Sequence, residues 1–347
     1  MNNEEKDKGT SFNKYHSILK ELVYQCRINF LKSPLEIYFE LTNSCNLQCV
    51  YCYKQSTLIQ EEKEEIPIEK ILETIEQLQN EEYLLVLEGG EPFLYSQIFE
   101  LLKECKNRKI RVDILTNGTL LNEENIVLLQ EVYDVDLFEI QISIDGVNDF
   151  NRLNRTSDGA KVFKAIKLLN QIGIRPRIQT VITINNYQGV CSLLKILNEE
   201  SDIRSLTMCS VFGKKNDNLK LSITEINNLK QDIATIKNEL HFPVYDFTEY
   251  TSDQCMNTYL ERNEGKFVKC TAMRSKVCIN HRCDVYPCVF FENHMQPIGN
   301  IKVDSLIDIW NSDKANMFRE KILHKAEKCS RCEHARKCPQ ICMARER

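Results

Sequence analysis

EIYFELTNSCNLQCVYCYKQ, residues 36–55, joins a short β-rich run to a loop that carries Cys45, Cys49 and Cys52, spaced by three residues and then by two. Three soft thiolates on one short loop can converge on a single metal centre, and cysteine ligation is what iron-sulfur clusters require. Three ligands suit a four-iron cluster with one iron left open. A tetrahedral zinc site, the other reading of the spacing, wants a fourth protein ligand, and no His or Cys follows nearby.

Outward from this loop the chain repeats one pattern. From Leu35 to about Leu240, β-rich runs alternate with amphipathic helical stretches: EIYFEL with IEKILETIEQLQ, YLLVLE with YSQIFELLKECK, IRVDIL with EENIVLLQEV, FEIQISI with AKVFKAIKLLNQ, RIQTVITI with YQGVCSLLKILN, and SLTMCSVF with TEINNLKQDIATIKNEL. Six β-α units in succession demand a parallel sheet with right-handed crossovers and helices outside. About 200 residues suit an open, partial version of the eight-unit barrel, in which chemistry sits on the loops after the strands. Residues 1–34 read as a polar tail and a helix (KYHSILKELVYQCRINFLK). The pattern changes near residue 243; beyond it a hairpin is expected around VCINHRCDVYPCVFF, one helix around DSLIDIWNSDKANMFREKIL, and a cysteine-rich tail. The expected division is therefore 1–34, 35–243 and 244–347.

Composition narrows the class. Hydrophobic residues at 42% and charged residues at 27% are globular values, which excludes a disordered or fibrous chain. No run approaches the roughly 18 apolar residues of a membrane helix, and the N-terminus has no secretory pattern, so the expectation is a cytoplasmic protein without a membrane partner. The net charge of -5 hides an asymmetry: residues 265–347 hold 16 Lys+Arg against 9 Asp+Glu, leaving 29 against 41 for the rest. Sixteen cysteines without an export signal point to metal rather than disulfides. Three lie between 45 and 52 and nine between 255 and 342, whereas Cys26, Cys105, Cys191 and Cys209 stand singly and read as structural.

Cys-x3-Cys-x2-Cys after the first strand of a β-α series resembles the radical S-adenosylmethionine (radical SAM) superfamily. The resemblance implies an α/β fold, a partial (βα)6 TIM-like barrel, in which Cys45, Cys49 and Cys52 hold a [4Fe-4S] cluster whose open iron chelates S-adenosyl-L-methionine. The other strand ends match in order. Gly89, Gly90, Glu91 and Pro92 resemble the family's GGEP segment, whose exposed backbone binds the SAM amino group, and glycine permits such close approach. Thr116, Asn117 and Gly118 match a common family turn. Ser143 and Asp145 correspond to polar residues near the SAM ribose and carboxylate, Arg155 to an arginine that pairs with that carboxylate, and Asn185 to an adenosine-side contact. Tyr51 fits the aromatic that the family prefers before the third cysteine.

The tail, Cys329-x2-Cys332-x5-Cys338-x3-Cys342 with Cys270 and Cys288 upstream, resembles the SPASM domain, a small C-terminal cysteine-rich extension that binds auxiliary [4Fe-4S] clusters, usually two. The resemblance implies Cys270, Cys288 and Cys342 on one cluster, with Cys255 as the further ligand, and Cys329, Cys332 and Cys338 on the other, for which the chain offers no later cysteine before Arg347. Cys283 stands where the pattern has a hairpin glycine; Cys278 and Cys283 are either spare thiols or substitute ligands. A zinc ribbon is the other reading of four such cysteines.

The same resemblance implies a function: SAM is cleaved to a 5′-deoxyadenosyl radical that takes a hydrogen atom from a peptide, in maturation of a ribosomal peptide by thioether or carbon-carbon crosslinking or by epimerisation. Sulfatase maturation to formylglycine is the runner-up. A zinc or iron-sulfur electron-transfer protein without SAM chemistry is the rival from another class. Partners implied are a peptide or protein, with or without a leader peptide, and a flavodoxin- or ferredoxin-type electron donor; no nucleic acid is expected. The short stretch before the barrel leaves little room for a leader-binding domain, and the basic tail could attract an acidic leader. Cys209, near the end of the sixth strand, is a candidate hydrogen donor for epimerisation.

Overall fold

The structure, a computed structural model, describes residues 19, 20, 23, 29–54, 62–78, 81–211, 214–245, 270–292 and 294–330, the side chains of 214 and 325–330 excepted. Six strands, β1 (Glu36–Glu40), β2 (Leu84–Glu88), β3 (Arg111–Thr116), β4 (Phe138–Ser143), β5 (Arg177–Ile182) and β6 (Ser205–Ser210), pair in chain order, all parallel. The crossovers carry α1 (Ile68–Gln77), α2 (Ile98–Asn107), α3 (Glu123–Val132), the paired α4 (Asp149–Arg155) and α5 (Gly159–Gln171), and α6 (Val190–Glu200), with α7 (Ile223–Ile236) after β6. Several of these helices begin at side-chain caps written in the sequence. Asn122 accepts from the Asn125 amide at 2.9 Å, Asp158 from Ala160 at 2.9 Å, and Ser222 with Glu225 forms a capping box, each cap being worth about 1 kcal/mol.

The sheet extends at both edges beyond the six expected strands. β7 (Val244–Tyr245) adds to β6, and β8 (Lys276–Ile279) adds in parallel to β1, so that ten strands form one open sheet. β8 turns back into β9 (Asp284–Tyr286), the expected hairpin, and β10 (Gly299–Asn300) pairs with β9. The single helix expected over 304–323 is two, α8 (Leu306–Asn311) and α9 (Asp313–Ser330). Ser312 causes the break: its hydroxyl donates to the Ile309 carbonyl at 2.8 Å, closing α8, and accepts from Ala315 at 3.3 Å, opening α9. Most of the expected N-terminal helix lies outside the described residues.

Alternation along the strands divides the sheet into two faces. Ile37, Phe39, Ile114, Ile140 and Ile142 are buried on the helix side and form the core with the inner faces of the helices. The opposite face carries Tyr38, Glu40, Glu88, Asp113, Gln141, Gln179 and Thr207, with Gln141 donating to Gln179 at 2.8 Å. A polar concave face differs from the packed apolar interior of a closed barrel. This is the lumen face of the partial barrel. The C-terminal region is anchored to the segment before β1: Trp310 Nε1 donates to the Leu31 carbonyl at 2.9 Å, buried Arg274 to Asn29 at 2.7 Å, and the Arg319 guanidinium lies 3.9 Å from the Phe30 ring centre. Among the described residues no helix is long and apolar enough to cross a membrane.

Candidate functional site

The loop after β1 is held from three sides. From β2, the Gly90 amide donates to Thr42 O and the Glu91 amide to Ser44 O, both at 2.8 Å, which prolongs the β1–β2 pairing into the loop. Gly90 is required there because a Cβ would overlap the Ser44 carbonyl, and Gly89, at φ +136°, occupies backbone space that other residues rarely enter. From β3, the Asn117 amide side chain donates to Asn46 at 2.9 Å. From α4, Thr156 Oγ1 accepts from the Gln48 amide at 3.0 Å and the Asn154 carbonyl accepts from Val50 at 2.9 Å.

Cys45, Cys49 and Cys52 on this loop are free and partly exposed. Burial pushes the Cys45 thiol up to about 12; it pushes Cys49 up to about 11, with Arg155 pulling the other way, and each thiol also senses the charges of its neighbours. Thiols raised by burial, as Cys45 and Cys49 are, become thiolates when a cation binds. The donor set thus fits a thiolate-ligated cluster. Cys270 and Cys288 are likewise partly exposed, and Cys278 and Cys283 are fully buried in the hairpin. Cys283 sits at φ +71°, the left-handed turn conformation that favours glycine. Cys255, Cys332, Cys338 and Cys342 lie outside the described residues, as do Cys26 and the Cys329 side chain.

Among the expected nucleotide-side residues, Tyr51, Asp145 and Arg155 are joined to one another. Asp145, fully buried, accepts from the Val181 amide at 2.9 Å and from the Tyr51 hydroxyl, and its Oδ2 lies 3.0 Å from Arg155 Nε. The Arg155 guanidinium is 5.6 Å from the Tyr51 ring centre. Burial acts against the Arg155 charge, but Asp145, Tyr51 and Cys49 outweigh it and hold it more firmly than usual. Asn186 donates to the Asp145 carbonyl at 2.7 Å, and Asn185 donates to Asn154 at 3.3 Å. Glu91 is buried and faces inward: it accepts from Thr116 Oγ1 at 2.6 Å, Asn117 N at 2.8 Å and Phe93 N at 3.2 Å. Its carboxylate therefore fixes the β2 and β3 ends to each other, and Pro92 opens the short turn that follows. Ser143 ends β4 on the lumen face. Cys209 lies opposite Val181 on β6, half-buried, its thiol raised to about 11 by burial and by Asp145.

Sequence reading did not single out Lys54, Glu40, Glu88 or Glu292. Lys54, two residues past Cys52 and 3% exposed, pairs with Glu40 of β1 and lies 3.6 Å from Glu292, four residues past Cys288. Beside it the Tyr53 and Phe290 rings meet edge to face with centres 5.1 Å apart. The available signal was a glutamate closing each of the strands EIYFE and LLVLE; Lys54 and Glu292, outside the strands, carried none.

A family model for the radical SAM superfamily matches residues 39–197, and one for the SPASM iron-sulfur cluster-binding domain matches 270–333. The chain is 27% identical over 340 residues to a cysteine-type anaerobic sulfatase-maturating enzyme of Clostridium novyi, with 90% of this chain and 88% of that protein covered. It is 28% identical over 293 residues to the subtilosin biosynthesis protein AlbA of Bacillus subtilis, covering 82% of this chain and 61% of that protein. In fold it is similar to SuiB of Streptococcus suis bound to S-adenosylmethionine, with a TM-score of 0.72, 21% identity, and 96% and 78% of the two chains covered; SuiB has also been solved bound to the precursor peptide SuiA.

Proposed function

Because the chain belongs to the radical SAM superfamily and carries a SPASM iron-sulfur cluster-binding domain, we propose that it matures a peptide substrate by oxidative crosslinking. Its cofactors are S-adenosyl-L-methionine and [4Fe-4S] clusters. Bound together, they supply a 5′-deoxyadenosyl radical able to take a hydrogen atom from an unactivated carbon, and the protein's part is positioning and water exclusion. In this reading Cys45, Cys49 and Cys52 hold the SAM cluster, and the Gly89–Gly90 backbone, braced by Glu91 and Pro92, receives the SAM amino group. Asn117, Ser143 and Asn185 line the nucleotide side. Arg155, already aligned by Asp145 and Tyr51, presents its guanidinium to the SAM carboxylate. Cys270 and Cys288, with Cys255, Cys329, Cys332, Cys338 and Cys342, serve the auxiliary clusters, and a flavodoxin- or ferredoxin-type protein donates the electron. In this reading the barrel is residues 35–243 and the auxiliary domain 244–347, the latter lending β7 and β8 to the edges of the barrel sheet.

The observation that carries this is the convergence of three free thiols with the Tyr51–Asp145–Arg155 network at one strand-end mouth above a polar lumen. Peptide maturation is supported by the likeness to AlbA, named for biosynthesis of the bacteriocin subtilosin. Formylglycine formation on a sulfatase cysteine is the second reading, supported by a likeness that spans 88% of the Clostridium novyi enzyme. The test is anaerobically reconstituted protein with SAM, dithionite and a pool of synthetic cysteine-containing peptides. The expected result is 5′-deoxyadenosine together with a peptide lighter by two hydrogens, both lost in Cys45→Ala. A cysteine converted to an aldehyde establishes the second reading. Zinc in place of iron, with intact SAM, overturns both.

A further inference from the structure

The seam where β8 joins β1 and β2 holds charged groups with no part in cluster or SAM binding as proposed. Glu40 and Glu88 end their strands as Cα partners, and a carboxylate oxygen of each lies within 4.8 Å of the other and of the buried Cys278 thiol. The resident cation is Lys54, paired with Glu40 and 3.6 Å from Glu292. Lys54 therefore faces three carboxylates, with Lys276 of β8 also acting on Glu88, so acids outnumber ammonium groups. Among these acids Glu40 is fully buried against Lys54, and Glu292 accepts from Asn280 at 2.8 Å. Glu88 is different in exposure: its side chain is only half-buried on the lumen face, whereas Glu40 is enclosed, and its buried Oε1, like both Glu40 oxygens, accepts no hydrogen bond. It lies between the cluster loop, represented by Tyr53 and Lys54, and the segment that follows Cys288.

We propose that Glu88 is the general base of the reaction, taking the proton from the substrate heteroatom that forms the new bond. The inference rests on the peptide-maturation reading. In the step, the heteroatom–hydrogen bond breaks, its electron pair stays on the heteroatom, and an O–H bond forms on the Glu88 carboxylate; no electron changes hands. The titratable groups facing Glu88 are Tyr38 and Glu40 of β1, Tyr53 and Lys54 of the loop, Lys276 and Cys278 of β8, and Glu292. Burial raises the Glu88 carboxyl to about 7, with Lys54 and Lys276 pulling it down and Glu292 adding to the rise. A base poised near the working pH contributes roughly 10²–10⁴-fold. Glu40 completes two triads with metal-ligand geometry, one with Glu88 and Cys278 and one with His281 and Glu292. The Lys54 ammonium already supplies a positive charge beside Glu40, and the base reading is the one that uses Glu88.

Two measurements on the reconstituted holoenzyme decide this. Infrared titration of wild type minus Glu88→Gln should show a carboxylic acid carbonyl band that disappears around neutrality. A band lost in the ordinary carboxylate range overturns the proposal. With the cysteine-peptide pool, SAM and dithionite, the ratio of crosslinked peptide to 5′-deoxyadenosine should fall roughly 10²-fold or more in Glu88→Gln. Glu88→Asp should recover part of it, with a shifted pH profile. Wild-type coupling in Glu88→Gln overturns the proposal alone. Wild-type protein that releases no 5′-deoxyadenosine overturns the maturation reading, and this inference with it.

Discussion

The two walls of the barrel mouth treat buried charge in opposite ways. On the β4–β5 wall, Asp145 meets one arginine, one hydroxyl and one backbone amide, so a single negative charge is matched by a single positive charge and two donors. On the β1–β2–β8 wall, Lys54 faces Glu40, Glu88 and Glu292, and acid is in excess. An arginine cannot release its proton in a protein, whereas a carboxylate can take one. The first wall is therefore a fixed platform. The second can change protonation at neutral pH, which suits it to acid-base work and the first to holding a charged ligand.

The difference is sharpest when each wall loses its counter-charge. Asp145→Asn strands Arg155, 7% exposed, with no way to neutralise it, and breaking a buried pair from one side costs about 3–5 kcal/mol. Chemical denaturation should show a loss of that size that does not vary between about pH 6 and pH 9; a variant within about 1 kcal/mol of wild type would mean that water screens this wall. Lys54→Met is expected to cost less near pH 6, because Glu40, which burial already raises above the carboxylate range, can protonate. Its native state then holds a proton that the unfolded chain releases near pH 4.5. Stability should therefore fall as pH rises, by up to about 1.4 kcal/mol per pH unit. A pH-independent loss would show that Glu40 stays ionised and that the two walls behave alike.

The platform was more legible in the sequence than the titrating wall. Cys45, Cys49 and Cys52 are adjacent in the chain, the Gly-Gly, Asn117 and Asp145 positions each follow a strand end, and Arg155 closes the helix after β4, so local pattern locates them. The helix EENIVLLQEV matches the observed Glu123–Val132, because Asn122 marks its start. The seam depends on β8 joining β1, a contact between residues 276–279 and 36–39, and no local periodicity encodes a pairing that distant. Glu40, Glu88 and Lys54 belong to no local motif, so nothing along the chain marks them before β8 is seen beside β1. The pause at Ser312 lies in Asn311-Ser312-Asp313, a run of poor helix formers whose role is plain once the serine hydroxyl is seen to serve both helix ends.

A smaller effect, of opposite sign, is expected from Glu88→Gln. Wild-type Glu88 binds a proton more tightly folded than unfolded, so its contribution to stability is present at low pH and declines as pH rises from about 4.5 to about 7. Removing the carboxylate removes that decline. The variant should match wild type near pH 5 and exceed it by about 2 kcal/mol at pH 8, after allowance for the half-buried position. Denaturation midpoints at the two pH values measure it, and parallel curves would show that Glu88 is ionised throughout and the acid excess illusory.

The smallest effect separates the platform's internal order from its charge balance. Tyr51→Phe removes the hydroxyl that donates to Asp145 but leaves the Arg155 pair and the Val181 amide in place. A lost neutral donor to a charged acceptor that keeps its other partners costs roughly 1 kcal/mol. The ring remains to pack against the Arg155 guanidinium. Stability should therefore drop by about that amount, while iron content after reconstitution stays at the wild-type level, since Val50 and Gln48 still tie the loop to α4. A fall in iron content with stability unchanged would reassign Tyr51 from bracing Asp145 to shaping the cysteine loop itself, and the fixed wall would then extend into the cluster loop.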